Sequence, residues 1–172
     1  IGIFIYVGAE VSIGSFLVNY FSQPNIGGLS ERDAARYVSF YWGGAMIGRF
    51  VGSAVLQKLK AGLVLGLAAM AACALVTTSI LTTGAVAMWS IICVGLFNSI
   101  MFPNIFTLGI DGLGKLTGKG SGVLVMAIVG GAIIPIVQGA LADSIGIHTA
   151  FTLPAVCYLY IVYYGFRGSR HA

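Results

Sequence analysis

The chain has 172 residues, of which 58% are hydrophobic and only 8% are charged, and its formal net charge is +4. An average soluble domain carries about 25% charged residues, so a water-soluble fold of this length would expose too much apolar surface. The lipid bilayer is therefore the expected solvent. The sequence shows no basic patch interleaved with exposed aromatic residues, which argues against nucleic acid as a partner.

Six apolar stretches have the length of about 20 residues that a membrane crossing needs. The predicted fold is therefore all-α, with six transmembrane helices at residues 1–21, 33–57, 63–82, 85–110, 120–144 and 149–166. Ser30 followed by Asp33 forms a pattern like a capping box and predicts the start of the second helix. The chain begins at Ile1 inside an apolar run and lacks a basic leader, so we expect it to be part of a longer polypeptide.

Basic residues gather in the loops after the second, fourth and sixth predicted helices. The positive-inside rule assigns such loops, and with them the C-terminus, to the cytoplasm. The residues concerned are Lys58, Lys60, Lys115, Lys119, Arg167 and Arg170.

Polar and helix-breaking residues interrupt the fourth and fifth apolar stretches. Asn98, Pro103 and Asn104 lie in the fourth, and Pro135 and Gln138 lie in the fifth. Such groups are costly in lipid and persist where a neighbouring helix or a water-filled cavity satisfies them. We therefore expect these two helices to face a polar path.

Several segments together resemble sugar porters of the fucose permease branch of the major facilitator superfamily, which includes bacterial glucose/galactose transporters. They are FNSIMFPNIFTLGIDGLG, GSG and MAIVGGAIIPIVQGALAD within residues 97–143, YVGAEVSIGSFL at residues 6–17 and GRFVG at residues 48–52. The resemblance implies that residues 1–172 are the C-terminal six-helix half-bundle of a twelve-helix transporter whose N-terminal half is missing from the sequence.

The same resemblance implies a function. It is transport of a hexose or fucose-type sugar across the bacterial inner membrane by alternating access, with symport of a proton or another cation. The groups that usually carry protons in this family would lie in the missing half. No cofactor and no enzymatic activity are implied.

Glu10 is the only acidic residue deep inside a predicted helix. An ionisable group there faces a cavity, pairs with another group or takes up a proton. We expect Glu10 to bind sugar hydroxyls or a proton, with a structural pair as the alternative. Tyr6 lies one turn earlier and offers a ring face or a hydroxyl to the same pocket, unless it only packs against lipid or a helix.

Four more residues are candidates for the sugar site. The resemblance implies that the aromatic residue before Pro103, here Phe102, lines the pocket. Asn98, Asn104 and Gln138 supply amides that suit sugar hydroxyls, and interhelical hydrogen bonding is the alternative for each. The six-residue step from Asn98 to Asn104 turns the helix by about 240°, so both amides need not point into one cavity.

Gly131, Pro135 and Gly139 recur every four residues along the fifth helix. Stripes of small residues allow helices to pack closely and to slide or rock against each other. Arg49 resembles the arginine of a superfamily loop motif, although the preceding aspartate of that motif is absent. We expect Arg49 to act as a gate or helix-end anchor near the cytoplasmic end, with snorkelling to the interface as the alternative.

Metal binding and catalysis find no support in the sequence. The spacing of Cys73, Cys93 and Cys157 matches no zinc or redox motif, and packing as small apolar groups is expected. Ser121 and His148 could suggest an intramembrane protease, but they should lie about 35 Å apart at opposite ends of one helix, too far for a dyad. A channel or a porter for a non-sugar substrate remains open, as do the identities of the sugar and the coupling ion.

Overall fold

The computed structural model describes residues 1–168 and is built of helices. The first part of the chain forms α1 (Gly2–Phe21), α2 (Glu31–Leu56), α3 (Ala61–Leu81), α4 (Gly84–Asn98) and α5 (Met101–Ile110). The second part forms α6 (Thr117–Met126), α7 (Gly130–Ile145), α8 (Ile147–Ala150) and α9 (Thr152–Phe166), with 3-10 turns at Gly114–Leu116 and Ala127–Val129. Arg170, one of the basic residues counted above, lies outside the described residues.

Within residues 1–168 the helices combine into six segments, and the predicted all-α membrane fold is confirmed. Five of these segments are long and apolar enough to cross a membrane, namely Gly2–Phe21, Ala61–Leu81, Gly84–Ile110, Gly114–Ile145 and Ile147–Phe166. The remaining segment, α2, has 26 residues, which is about 39 Å at the helical rise of about 1.5 Å per residue. Its first two turns carry four charged residues, Glu31, Arg32, Asp33 and Arg36, and we assign this end to the membrane surface.

Two of the predicted continuous helices are interrupted in the structure. The fourth, expected at residues 85–110, stops at Asn98 and resumes at Met101. Pro103 explains this interruption because it has no N–H to donate to the carbonyl of Ser99. The sixth, expected at residues 149–166, is divided at Phe151, where Pro154 deprives the Ala150 carbonyl of its helical partner in the same way.

The ends of the second and fifth predicted helices also differ. The second begins at Glu31 rather than 33, because Ser30 is its N-cap: the Ser30 hydroxyl accepts a hydrogen bond from the Asp33 N–H at 3.2 Å and donates to the Asp33 carboxylate at 2.8 Å. The fifth begins at Thr117 rather than 120 and changes to a 3-10 turn just before Gly130.

Glycines let the segments that surround the polar path approach closely. A Cβ at Gly48 of α2 would overlap the carbonyl oxygen of Leu96 in α4, and one at Gly130 of α7 would overlap the carbonyl oxygen of Phe4 in α1. Gly44 and Gly48 therefore pack α2 on α4, and Gly130 and Gly131 pack α7 on α1. Behind them, α3 packs against both α4 and α9.

Candidate functional site

A polar cavity of about 400 Å³ lies between α1, α2 and the interruption that separates α4 from α5. Ligand pockets commonly have volumes of about 300 to 1,000 Å³, so a small polar molecule fits this space. The cavity is lined by Tyr6, Glu10, Arg49, Ser99, Phe102 and Pro103. It therefore brings together four residues that the sequence singled out separately.

Glu10 and Arg49 place opposite charges on two walls of this cavity. Arg49 lies seven residues before the end of α2, which is about 10 Å of helical rise, and its side chain reaches the same cavity as Glu10. Its role as a gate or helix-end anchor stays a prediction. Among the ion pairs of residues 1–168, none joins Glu10 to Arg49 within 4.0 Å.

The two side chains offer complementary hydrogen bonds to a ligand. A carboxylate accepts hydrogen bonds only, whereas a guanidinium donates up to five. A molecule with several hydroxyl groups can donate to Glu10 and accept from Arg49 at once, so both charges can be satisfied through a single ligand.

The third wall of the cavity is aromatic. Phe102 is partly exposed to the cavity, and its ring stacks on Phe106 with centroids 6.1 Å apart and an interplanar angle of 27°. This stacking fixes the ring, and aromatic faces suit the apolar side of a sugar. Ser99, which the sequence analysis did not select, also lines the cavity. The sequence did carry one signal for Ser99, namely its position four residues before Pro103. A proline has no N–H to donate, so the carbonyl of Ser99 is left without its helical partner.

Asn98 does not line the cavity but lies fully buried beside it. Its side-chain N–H donates to the hydroxyl oxygen of Tyr41 at 2.8 Å, and its side-chain oxygen accepts from the Tyr158 hydroxyl at 2.7 Å. The Tyr6 hydroxyl donates to the backbone carbonyl of Asn98 at 2.7 Å. In this structure, interhelical hydrogen bonds occupy the amide.

The other two predicted amides do not line the cavity either. Asn104 and Gln138 are buried, and the Nδ2 of Asn104 and both amide atoms of Gln138 have no hydrogen-bond partner. Gly131 contacts α1, since a Cβ there would lie 3.1 Å from Val7. Pro135 lies inside α7, and Gly139 borders a separate cavity of about 390 Å³ at the Gly146 end of α7.

The remaining spaces have a different chemistry. A cavity of about 630 Å³ near Lys60 and Asp111 lies at the ends of α3, α5 and α9, and a groove of about 420 Å³ between α2, α3 and α4 is lined by apolar residues and glycines. Within residues 1–168, no group of three His, Cys, Asp or Glu side chains is placed to hold a metal ion. The cavity of Glu10 and Arg49 differs from these two spaces in bringing together charged residues from the interior of two helices.

His148 and Ser121 lie at opposite ends of the α6–α7 segment. The Nε2 atom of His148, in α8, lies 2.8 Å from the carbonyl oxygen of Ser79. Ser121 is in α6, so the structure provides no serine–histidine dyad from these two residues.

Several known proteins are similar in sequence to this chain. No family model matches the chain. The chain is 58% identical over 170 residues to the glucose/galactose transporter of Brucella abortus, covering 99% of this chain and 41% of that protein. It is 44% identical over 175 residues to a putative glucose/galactose transporter of Helicobacter pylori, and 36% identical over 159 residues to the L-fucose-proton symporter of Escherichia coli.

A solved structure has the same fold. The crystal structure of the major facilitator superfamily transporter FucP in the outward conformation superposes with a TM-score of 0.93 at 34% identity, covering 99% of this chain and 41% of that one. The fold is thus that of the C-terminal part of a major facilitator transporter, an integral membrane bundle. The chain is similar to the C-terminal part of the fucose and glucose/galactose transporters, and it spans about two fifths of the length of these relatives.

Proposed function

We propose that the protein carrying this chain transports a hexose or fucose-type sugar, and that the cavity of Glu10 and Arg49 forms one wall of the sugar site. The observation that carries the proposal is the convergence of a carboxylate, a guanidinium and a fixed aromatic ring in a single cavity. Sugars present vicinal hydroxyls and an apolar ring face, and these three groups match both.

The mechanism we propose is alternating access. An N-terminal half, present in the longer polypeptide, closes the other side of the site, and the two halves rock about it. Glu10 accepts hydrogen bonds from sugar hydroxyls, Arg49 donates to others, and Phe102 supports the ring. The protein acts as a porter and not as an enzyme, in keeping with the transporter names of its relatives.

Cation coupling is part of this proposal. The E. coli relative is named a proton symporter, and Glu10 is a carboxyl group inside the bundle that can carry a proton or hold its charge against Arg49. We place the protein in the bacterial inner membrane, with the Lys58–Lys60 loop and the C-terminus in the cytoplasm.

The test is uptake of labelled hexoses and L-fucose by vesicles that contain the full-length protein, at two external pH values. Glu10→Gln is compared with wild type and with Glu31→Gln, a matched loss of one carboxylate on the exposed first turn of α2. Charged hydrogen bonds contribute about 1.5–3 kcal/mol, so Glu10→Gln should raise KM by about 10- to 100-fold, and Glu31→Gln should leave it unchanged.

Three other results would change the proposal. Uptake that survives in Glu10→Gln but loses its pH dependence would move Glu10 from sugar binding to coupling. A wild-type protein that accumulates no sugar under any gradient would leave a porter for a different substrate as the function. Steady conductance without accumulation would indicate a channel.

A further inference from the structure

The cluster of Asn98, Tyr41 and Tyr158 lies directly behind the sugar cavity. All three residues are fully buried, with exposed fractions of 0%. They come from α4, α2 and α9, and Tyr6 of α1 joins them through the Asn98 carbonyl. Four helices thus meet at one residue, Asn98, where α4 ends.

The position of this amide links it to the walls of the cavity. Ser99 follows Asn98 in the chain and lines the cavity, as does Phe102 one turn further on. Tyr6 has its ring in the cavity wall and its hydroxyl on Asn98. A shift of Asn98 would therefore move the serine, the phenylalanine and the tyrosine together.

The interruption between α4 and α5 explains why the position of Asn98 needs hydrogen bonds from other helices. Residues 99 and 100 form a turn between the two helices, and Pro103 has no N–H to donate to the carbonyl of Ser99. A segment of this kind has few backbone restraints of its own. Side-chain hydrogen bonds from three other helices supply the missing restraint at Asn98.

We propose that Asn98, Tyr41 and Tyr158 are positioning residues that hold the sugar cavity in its binding shape without contacting the sugar. This inference rests on the function proposed above, and it gives Asn98 a different role from the direct sugar contact expected from the sequence. All the hydrogen-bonded partners belong to this one half of the transporter, so the cluster moves as a unit when the halves rock. Its loss should therefore alter the KM for sugar more than the maximal rate.

Tyr158→Phe is the principal variant because it removes only the hydroxyl that Asn98 Oδ1 accepts from. Tyr41→Phe is the second, since it removes the acceptor of the Asn98 N–H. The matched control is Tyr20→Phe. Tyr20 is also fully buried, and its hydroxyl binds Ser79 at 2.8 Å, but it lies 14 residues from Tyr6 along α1, about 21 Å of helical rise.

Sugar uptake kinetics and thermal unfolding of the purified full-length protein are measured for all three variants. We expect similar losses of thermal stability in Tyr158→Phe and Tyr20→Phe. We expect KM to rise about 3- to 10-fold only in Tyr158→Phe and Tyr41→Phe, with the maximal rate within about twofold of wild type. An unchanged KM in both cluster variants, an equal rise in Tyr20→Phe, or a fall in maximal rate alone would overturn the proposal.

A second measurement does not depend on which substrate the protein carries. Phe102→Cys places a thiol in the cavity wall, and its alkylation by a water-soluble reagent is followed by mass spectrometry at that position. Adding Tyr158→Phe should change the alkylation rate several-fold, whereas adding Tyr20→Phe should not. If the rate is the same in both backgrounds, the positioning role fails even where sugar uptake is intact. If the rate changes but no sugar is transported, only the proposed substrate fails.

Discussion

Glu10 and Arg49 face the same cavity from α1 and α2 without forming an ion pair within 4.0 Å. Two opposite charges that line one cavity in a membrane bundle each lower the free-energy cost of burying the other. Because they remain apart, a ligand has room between them. A closed salt bridge, in contrast, would have to break before a sugar could bind.

We therefore expect even a conservative substitution of Arg49 to weaken sugar binding. Arg49→Lys retains the charge but loses the planar fork that donates to neighbouring hydroxyls, and we expect KM to rise about tenfold or more. The measurement is the same uptake assay, with Arg36→Lys on the exposed part of α2 as the control. Wild-type KM in Arg49→Lys would show that the arginine acts only as a point charge.

The contact between α2 and α4 should not tolerate a methyl group at Gly48. Its Cβ would overlap the Leu96 carbonyl oxygen, which belongs to the backbone and cannot move alone. We expect Gly48→Ala to destabilise the protein by about 1–3 kcal/mol, measured as a lower thermal unfolding temperature.

Gly43→Ala is the matched control for this change. A Cβ at Gly43, on the same helix, meets nothing within 4 Å, and alanine has the higher helix propensity. Gly43→Ala should be neutral or stabilising. Equal losses at both positions would mean that α2 does not pack on α4 through Gly48.

The N-cap of α2 gives a third prediction. Ser30→Ala removes the hydroxyl that accepts from the Asp33 N–H, which should cost about 1 kcal/mol of stability. Ser39→Ala, in the exposed interior of the same helix, is the control and should not destabilise. The measurement is thermal unfolding of the purified protein, and an unchanged midpoint in Ser30→Ala would argue against the cap.

The orientation of the bundle can be tested by labelling. We expect an impermeant maleimide added to intact cells to label Asn25→Cys, in the loop before α2, and not Leu59→Cys, between two lysines of the α2–α3 loop. Leu59→Cys should become reactive after permeabilisation. The reverse pattern would invert the proposed topology.

The sequence predicted the fold well because apolar length and charged loops determine where a chain crosses a membrane. Ser30 also marked a helix start through purely local chemistry, whereas the interruption before Pro103 was not predicted, since residues 85–110 were expected to form one helix. Asn98 shows the limit of such reasoning. Its partners Tyr41 and Tyr158 are 57 and 60 residues away, and nothing local distinguishes a hydroxyl that meets an amide from one that meets lipid.

The contact between α2 and α4 could not be predicted for a related reason. Gly48 meets the carbonyl oxygen of Leu96, which lies 48 residues further along the chain. The register between two helices depends on both packed surfaces, so the sequence of one helix does not determine it.

The separation between Phe102, which lines the cavity, and Asn98, which lies behind it, bears on how such a protein can change its substrate over time. On the proposed function, we expect mutations at Phe102 to alter which molecule is preferred, while the buried amide of Asn98 keeps the helices in place. Substitutions at Phe102 or Glu10 can thus change the preferred substrate during evolution without destabilising the helix bundle. Sequence divergence should be slow at Asn98, Tyr41 and Tyr158 and faster at the residues that line the cavity.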